Sequence, residues 1–168
     1  KLINRIASAA ASINAYAKYT IDRETFSSIE NIAHGVYSPL TGFLGEEDFL
    51  SCVNRGRLKN DLPWTIPIVF DVDKDQFKLG QKVLLKSGNG RALFHVEEIF
   101  EYSKKEFAKK VFGTADFAHP GVQKIHRRKS FLASGPILLF KPESNPFHKS
   151  VLTPRKARNI FRNLDGKP

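Results

Sequence analysis

Apolar positions recur along this chain with two periods, and the switch between them separates a helical opening from a strand-rich middle and a helical end. Asp22 stands where an N-cap is wanted, and Phe26, Ile29, Ile32 and Ala33 behind it fall on one helical face closed by Gly35. The stretch Val36 to Gly45 is apolar yet punctuated by Pro39, Gly42 and Gly45, which predicts a loop ordered by packing against the core. Glu46, Glu47 and Asp48 then complement the dipole of a short helix that is expected to bury Phe49, Leu50 and Val53 and to end near Arg55-Gly56.

From Thr65 the period becomes two. Ile66 to Val72 reads as a strand whose early part Pro67 confines to a sheet edge or strand start. Val83 to Lys86 and Ala92 to Phe100 form the next pair, joined by Ser87-Gly88-Asn89-Gly90, which supplies the glycines of a tight hairpin. Ser103-Lys104-Lys105-Glu106 is a capping box opening a helix that buries Phe107 and Val111 and turns Lys104, Lys105, Lys109 and Lys110 to water before Gly113. His119-Pro120-Gly121 starts a turn or short helix. Phe131 to Phe140 reads as a strand pair split by Gly135-Pro136, and Thr153-Pro154 caps a last helix with Ala157, Ile160, Phe161 and Leu164 on one face. Helices and strands do not alternate strictly, so the expected class is α+β, a domain built around a small mixed barrel.

Composition narrows the picture. The 168 residues, 41% hydrophobic, suffice for one well-cored domain. A single cysteine, Cys52, excludes an intrachain disulfide and fits a reducing compartment, so the cytoplasm is the expected location. No run approaches the roughly 20 apolar residues of a membrane span, no membrane partner is expected, and no targeting segment is read in the Ala-rich start. No Met occurs, and Lys1 is not expected to be the native first residue. The formal charge of +10 would attract polyanions, but a solvated basic surface balanced by another domain of a larger protein is the favoured reading over nucleic-acid binding.

The residues that carry chemistry elsewhere form no recognisable constellation here. His34, His95, His119, His126 and His148 show no ligand spacing with one another or with Cys52. Ser38 and Ser134 lack the glycine frame of a nucleophile elbow and read as turn residues, and Cys52 reads as an inert core thiol. Gly88-Asn89-Gly90 has a strand behind it where a phosphate loop needs a helix. Lys124 to Lys129, with His126, Arg127 and Arg128 inside it, is the densest basic cluster but has little aromatic interleaving, which favours a solvated face.

Two longer strings are specific. Glu30-Asn31-Ile32-Ala33-His34-Gly35-Val36-Tyr37-Ser38-Pro39-Leu40-Thr41-Gly42-Phe43-Leu44-Gly45 resembles the N-terminal signature of ATP sulfurylases (sulfate adenylyltransferases). Val111-Phe112-Gly113-Thr114-Ala115-Asp116 followed by His119-Pro120-Gly121-Val122 is similar to a second signature of that family, and Pro63-Trp64-Thr65-Ile66-Pro67-Ile68 and Leu152-Thr153-Pro154 support it. The resemblance runs in order along essentially the whole chain.

It implies a PUA-like N-terminal domain, a small mixed β-barrel with flanking helices, over residues 1–152, and a connector helix over 153–168 leading to a catalytic domain outside this chain. In the family a sulfate oxygen attacks the α-phosphate of ATP and pyrophosphate leaves. The resemblance places ATP, sulfate and magnesium in that other domain and assigns no catalytic, cofactor-binding or metal residue here. Asn145-Pro146-Phe147-His148 lacks the Gln, Arg and second His of the family's catalytic run. The implied partners are the protein's own catalytic domain and further copies of the parent enzyme, without nucleic acid. The alternative class is a stand-alone PUA-like RNA-binding module, to which the basic surface lends support.

Overall fold

A computed structural model of the protein describes residues 2–8, 13, 15–140 and 152–164. In chain order its elements are β1 (Ile6–Ala7), β2 (Ala17–Thr20), α1 (Arg23–Ala33), β3 (Gly42–Phe43), α2 (Glu46–Arg55), β4 (Phe70–Val72), β5 (Lys82–Ser87), β6 (Gly90–His95), β7 (Glu98–Glu101), α3 (Lys104–Phe112), α4 (Pro120–Arg127), β8 (Phe131–Phe140) and α5 (Pro154–Asn163). The class is α+β, as expected. The residues group into two compact units, one of Lys1–Gly42, Lys82–Phe94 and Ile137–Pro168, the other of Phe43–Gln81 and His95–Pro136.

In the first unit the strand order is β1-β8-β6-β5-β2. β1 runs parallel to β8 with Ile6 beside Leu139, and β6 runs antiparallel to it with Phe94 beside Ile137. β2 pairs parallel with β5 from Ala17–Val83 to Thr20–Lys86. Helix α1 forms as its sequence dictates: the Asp22 carboxylate accepts the Thr25 amide at 2.8 Å and the Thr25 hydroxyl at 2.7 Å. Its buried stripe of Phe26, Ile29, Ile32 and Ala33 supplies about 1.5–3 kcal/mol for each large side chain withdrawn from water. Gly90 opens β6 where Phe26 lies so close that a Cβ would sit 2.4 Å from the ring, and Gly88 supplies the positive φ of 54° for the β5–β6 hairpin.

The second unit is held by stacked phenylalanines. Phe49 of α2 meets Phe100, Tyr102 and Phe107 at centroid distances of 5.8, 5.7 and 5.3 Å, and Phe70 meets Phe43 and Phe77 at 5.2 and 6.0 Å. β4 and β7 both run antiparallel to β8, Phe70 and Ile99 each standing opposite Ala133. The open start of α2 is capped from a distance: Gly45 has no side chain to offer, and Glu98 of β7 accepts the Glu46 amide at 2.9 Å.

Several expectations are corrected. Among the described residues the strands pair along a path that ends at β1 and β2 and does not close on itself, so a mixed sheet is seen and the expected barrel is not confirmed. Of Ile66 to Val72 only Phe70–Val72 is strand, and Ile66 is exposed. Pro67 has no amide to give a ladder, and the nearby Ile68 carbonyl is taken by the Leu44 amide. Ala92 to Phe100 breaks into β6 and β7 because Val96 donates to Gln81 and Glu97 to Ser134. Leu50 faces water and Cys52 takes its place in the core of α2, while in α3 the buried partner of Phe107 is Ala108 and not Val111.

The pair of strands expected around Gly135-Pro136 is one strand, β8. What changes at that point is its partners, from β4 and β7 before Gly135 to β6 and β1 after Pro136. The α5 helix forms on its Thr153 cap and Pro154 as predicted. Its apolar face is exposed: Ile160, Phe161 and Leu164 are 45%, 53% and 63% exposed.

Candidate functional site

The basic cluster of Lys124 to Lys129 is divided by the fold into two parts with different roles. Arg128 and Lys129 are structural. Arg128 Nη1 donates to Asp71 at 2.8 Å, the Lys129 amide donates to the other oxygen of that carboxylate at 3.0 Å, and Lys129 Nζ reaches Asp73 at 2.5 Å. Lys104 of α3 donates to the carbonyls of His126 and Arg128, which satisfies the orphan end of α4. The Arg128–Asp71 pair is about a quarter exposed, so it is less screened than a fully solvated bridge and removal of either partner would leave the other charge partly desolvated.

Lys124 and Arg127 remain on the outer surface of α4. The spacing of His119, Gln123, His126 and Arg127 sets them on one side of that helix. Here the structure supplies what the local sequence lacks. Phe117, nine residues before His126 and 59% exposed, lays its ring on the imidazole at 4.3 Å with 36° between planes. Gln123 Nε2 donates to the Phe117 carbonyl at 2.7 Å and fixes the loop beneath. A second pair stands beside it: Phe112 lies 4.9 Å from His119, whose Nδ1 accepts the Gly121 amide and caps α4. A Cβ at Gly121 would fall 2.6 Å from the Phe112 ring, so that glycine permits the approach.

The other histidines are placed singly. His34 caps the C-terminus of α1, and burial pushes its pKa below the usual value, opposed by Glu30. His95 stands 3.9 Å from Glu97 at the end of β6, and His148, with Asn145 to Phe147, lies outside the described residues. Among the described residues no three His, Cys, Asp or Glu side chains gather so as to hold a metal ion. Ser38 is the turn residue its sequence suggests, accepting the Ile3 amide at 3.0 Å and donating to the Gly35 carbonyl at 2.7 Å. Ser134 differs from expectation in being buried within β8.

Cys52 is buried and its thiol donates to the Trp64 carbonyl at 2.7 Å. Burial, with the Asp48 charge adding to it, pushes its pKa from 9.0 up to about 11, which suppresses the thiolate. Tyr102, whose hydroxyl donates to the Lys129 carbonyl, is raised by burial and Asp71 to about 12, partly offset by Arg128. Both groups hold their protons more tightly folded than unfolded, so their contribution is complete below pH 9 and is lost as pH rises. The unfolding free energy is expected to fall between pH 9 and 11 by up to about 2 kcal/mol from Cys52, and Cys52→Ala to flatten that window in denaturant titrations run at each pH.

One cavity of about 310 Å³ opens between α2 and α3. Phe49, Leu50, Val53, Phe100 and Phe107 form its apolar lining, and Glu46, Glu101 and Glu106 add carboxylates against one Lys110. That sign of charge repels sulfate or a nucleotide phosphate.

Fold and sequence together define the class: the chain belongs to the PUA-like domain family, which it matches over residues 2–142. Within that class its relatives are sulfate adenylyltransferases. It is 46% identical to the sulfate adenylyltransferase of Pyrococcus abyssi over 96% of this chain and 45% of that protein, and 47% identical to that of Thermococcus onnurineus over 88% and 39%. The chain thus spans less than half the length of these curated relatives. In architecture it is similar to the hexameric APS kinase from Thiobacillus denitrificans, with a TM-score of 0.69 at 17% identity, covering 97% of this chain and 30% of that one. No described helix is long and apolar enough to cross a membrane.

Proposed function

We propose that this chain is the accessory N-terminal domain of a sulfate adenylyltransferase, with residues 1–152 as the domain proper and 153–168 as the connector to a catalytic domain outside it. The observation that carries the reading is a 46% identity over 96% of the chain to a sulfate adenylyltransferase of which it spans only 45%. In the parent reaction a sulfate oxygen attacks the α-phosphate of ATP, the bond to the β-phosphate bridging oxygen breaks, and adenylyl sulfate and pyrophosphate result. No residue of this chain is given a catalytic role. In this reading magnesium acts with ATP in the catalytic domain. The parent is a cytoplasmic enzyme of sulfate activation that assembles from several copies.

Helix α5 supports the connector role. Its exposed Ile160, Phe161 and Leu164 recur at one helical face, while Arg155, Lys156, Arg158 and Arg162 take the remainder. An apolar stripe of this kind is stable when the following domain packs on it.

The parent protein is expected to release pyrophosphate from ATP only with sulfate, and the 168-residue chain alone to release none. Ile160→Ser with Phe161→Ser is expected to lower the parent's melting temperature by several degrees, while changing the 168-residue chain by less than about 0.5 kcal/mol. Equal stability of the parent with and without the two serines would remove the connector role, and turnover by the 168 residues alone would remove the accessory one.

A further inference from the structure

We infer that the outer face of the α3–α4 hairpin is a platform for single-stranded nucleic acid. Residues 104–129 hold eight Lys and Arg against two carboxylates, so this short stretch carries most of the formal +10 of the chain. Arg128 and Lys129 are paired with Asp71 and Asp73, so the charge argument for this face rests on the exposed Lys105, Lys109 and Arg127. Lys105 and Lys109 share the α3 face with Phe112 by their spacing, and Arg127 shares the α4 face with His119 and His126. Asp116, the carboxylate next to Phe117 in the chain, accepts the Ala118 amide at 2.9 Å and so is held within the loop.

The two ring pairs belong to the same helices as these cations and to the loop that joins them. Phe117 is 59% exposed with its ring 4.3 Å from His126, and a base stacked on its exposed surface would extend the Phe117–His126 pair while its phosphates met Arg127 and the α3 lysines. The Gln123–Phe117 and Gly121–His119 bonds hold both rings before any ligand arrives, which cuts the ordering cost of stacking. Stacking rings combined with a basic track is how proteins hold single strands without reading sequence. A mononucleotide would be gripped poorly, because the platform is an exposed surface that encloses nothing and the cations are spread over two helices. Duplex DNA hides its base faces and would gain only the charge term.

The test is fluorescence anisotropy with a labelled oligouridylate of about 20 nucleotides and the 168-residue chain at low salt. Saturable binding is expected, weakened roughly 5- to 100-fold by Phe117→Ala and restored by Phe117→Trp, whose emission should be quenched on binding. Arg127→Gln should lower the slope of log affinity against log salt by about 1, and Arg158→Gln on α5 should leave affinity at the Phe117 site within about two-fold. Circular dichroism of each variant confirms folding, and since Phe117 and Arg127 are exposed none should melt differently. The proposal is overturned if Phe117→Ala binds as the parent sequence does, if a duplex of equal length binds as tightly, if ATP at matched phosphate concentration competes fully, or if no saturable binding occurs.

Discussion

Gly135→Ala is expected to cost about 3–5 kcal/mol, enough to leave much of the chain unfolded at 37 °C. Gly135 has φ of +139°, a conformation that side chains rarely adopt, and a Cβ there would lie 1.9 Å from the His95 carbonyl oxygen and 3.1 Å from the Glu97 amide. Both neighbours are backbone. The Glu97 amide is bonded to Ser134, and Val96 between them is bonded on both sides, to Gly80 and Gln81, so the obstacle cannot swing away as a side chain would. The residue also sits where β8 exchanges one pair of partners for another, so any shift there disturbs both registers. Gly113→Ala is the contrasting case: φ is +71° but nothing lies within 4 Å, and the cost should be only about 1 kcal/mol. Equilibrium urea unfolding of the two variants measures the difference, and near-equal midpoints would show that the β8 crossing is far softer than its geometry implies.

The same residue shows what the sequence does and does not disclose. Gly135-Pro136 is visible as an interruption, and a reader of the sequence reasonably takes an interruption in an apolar run for a turn. Whether a glycine ends a strand or lets it pass a crowded backbone depends on His95, forty residues away, and no local pattern contains that. Elements whose cause is local are read correctly. Asp22, Ser103 and Thr153 each cap the helix their position suggests, and Gly56 and Gly113 end theirs in the left-handed conformation. The two-residue β1 and the short, mostly exposed β2 carry no alternation, and their existence rests on pairing with distant β8 and β5. The open path of the strands is likewise a long-range property.

The candidate site follows the same division. The density of charge in Lys124 to Lys129 is legible, but the pairing of Arg128 and Lys129 requires Asp71 and Asp73, more than fifty residues earlier. The aromatic part is not legible in the cluster because Phe117 precedes it across a turn. One signal was available: His119 as cap and Pro120 at the first turn predict a helix, and a loop leading tightly into a helix start brings a preceding ring over the next turns of that helix.

Phe26→Ala is expected to cost about 3–5 kcal/mol, and its coupling to Gly90 gives the most informative measurement in the first unit. Phe26 is 1% exposed and is the largest side chain that α1 buries. Its removal takes away a full aromatic transfer term and leaves a cavity under α1 that the hairpin glycine is too small to fill. Gly90→Ala attacks the same contact from the other side, since its Cβ would stand 2.4 Å from Cε1 and Cζ of the ring. There the ring must move, and overpacking of this kind costs about 1–3 kcal/mol. In the Phe26→Ala background the obstruction is gone and the new methyl enters empty space, so Gly90→Ala should become nearly neutral. The double mutant should therefore lie at least 1 kcal/mol above the sum of the singles in stability, well outside the roughly 0.3–0.5 kcal/mol scatter of independent sites. Additive losses in urea titrations would mean that the ring and the hairpin do not share one space, and the anchoring of α1 on β5 and β6 would then need another cause.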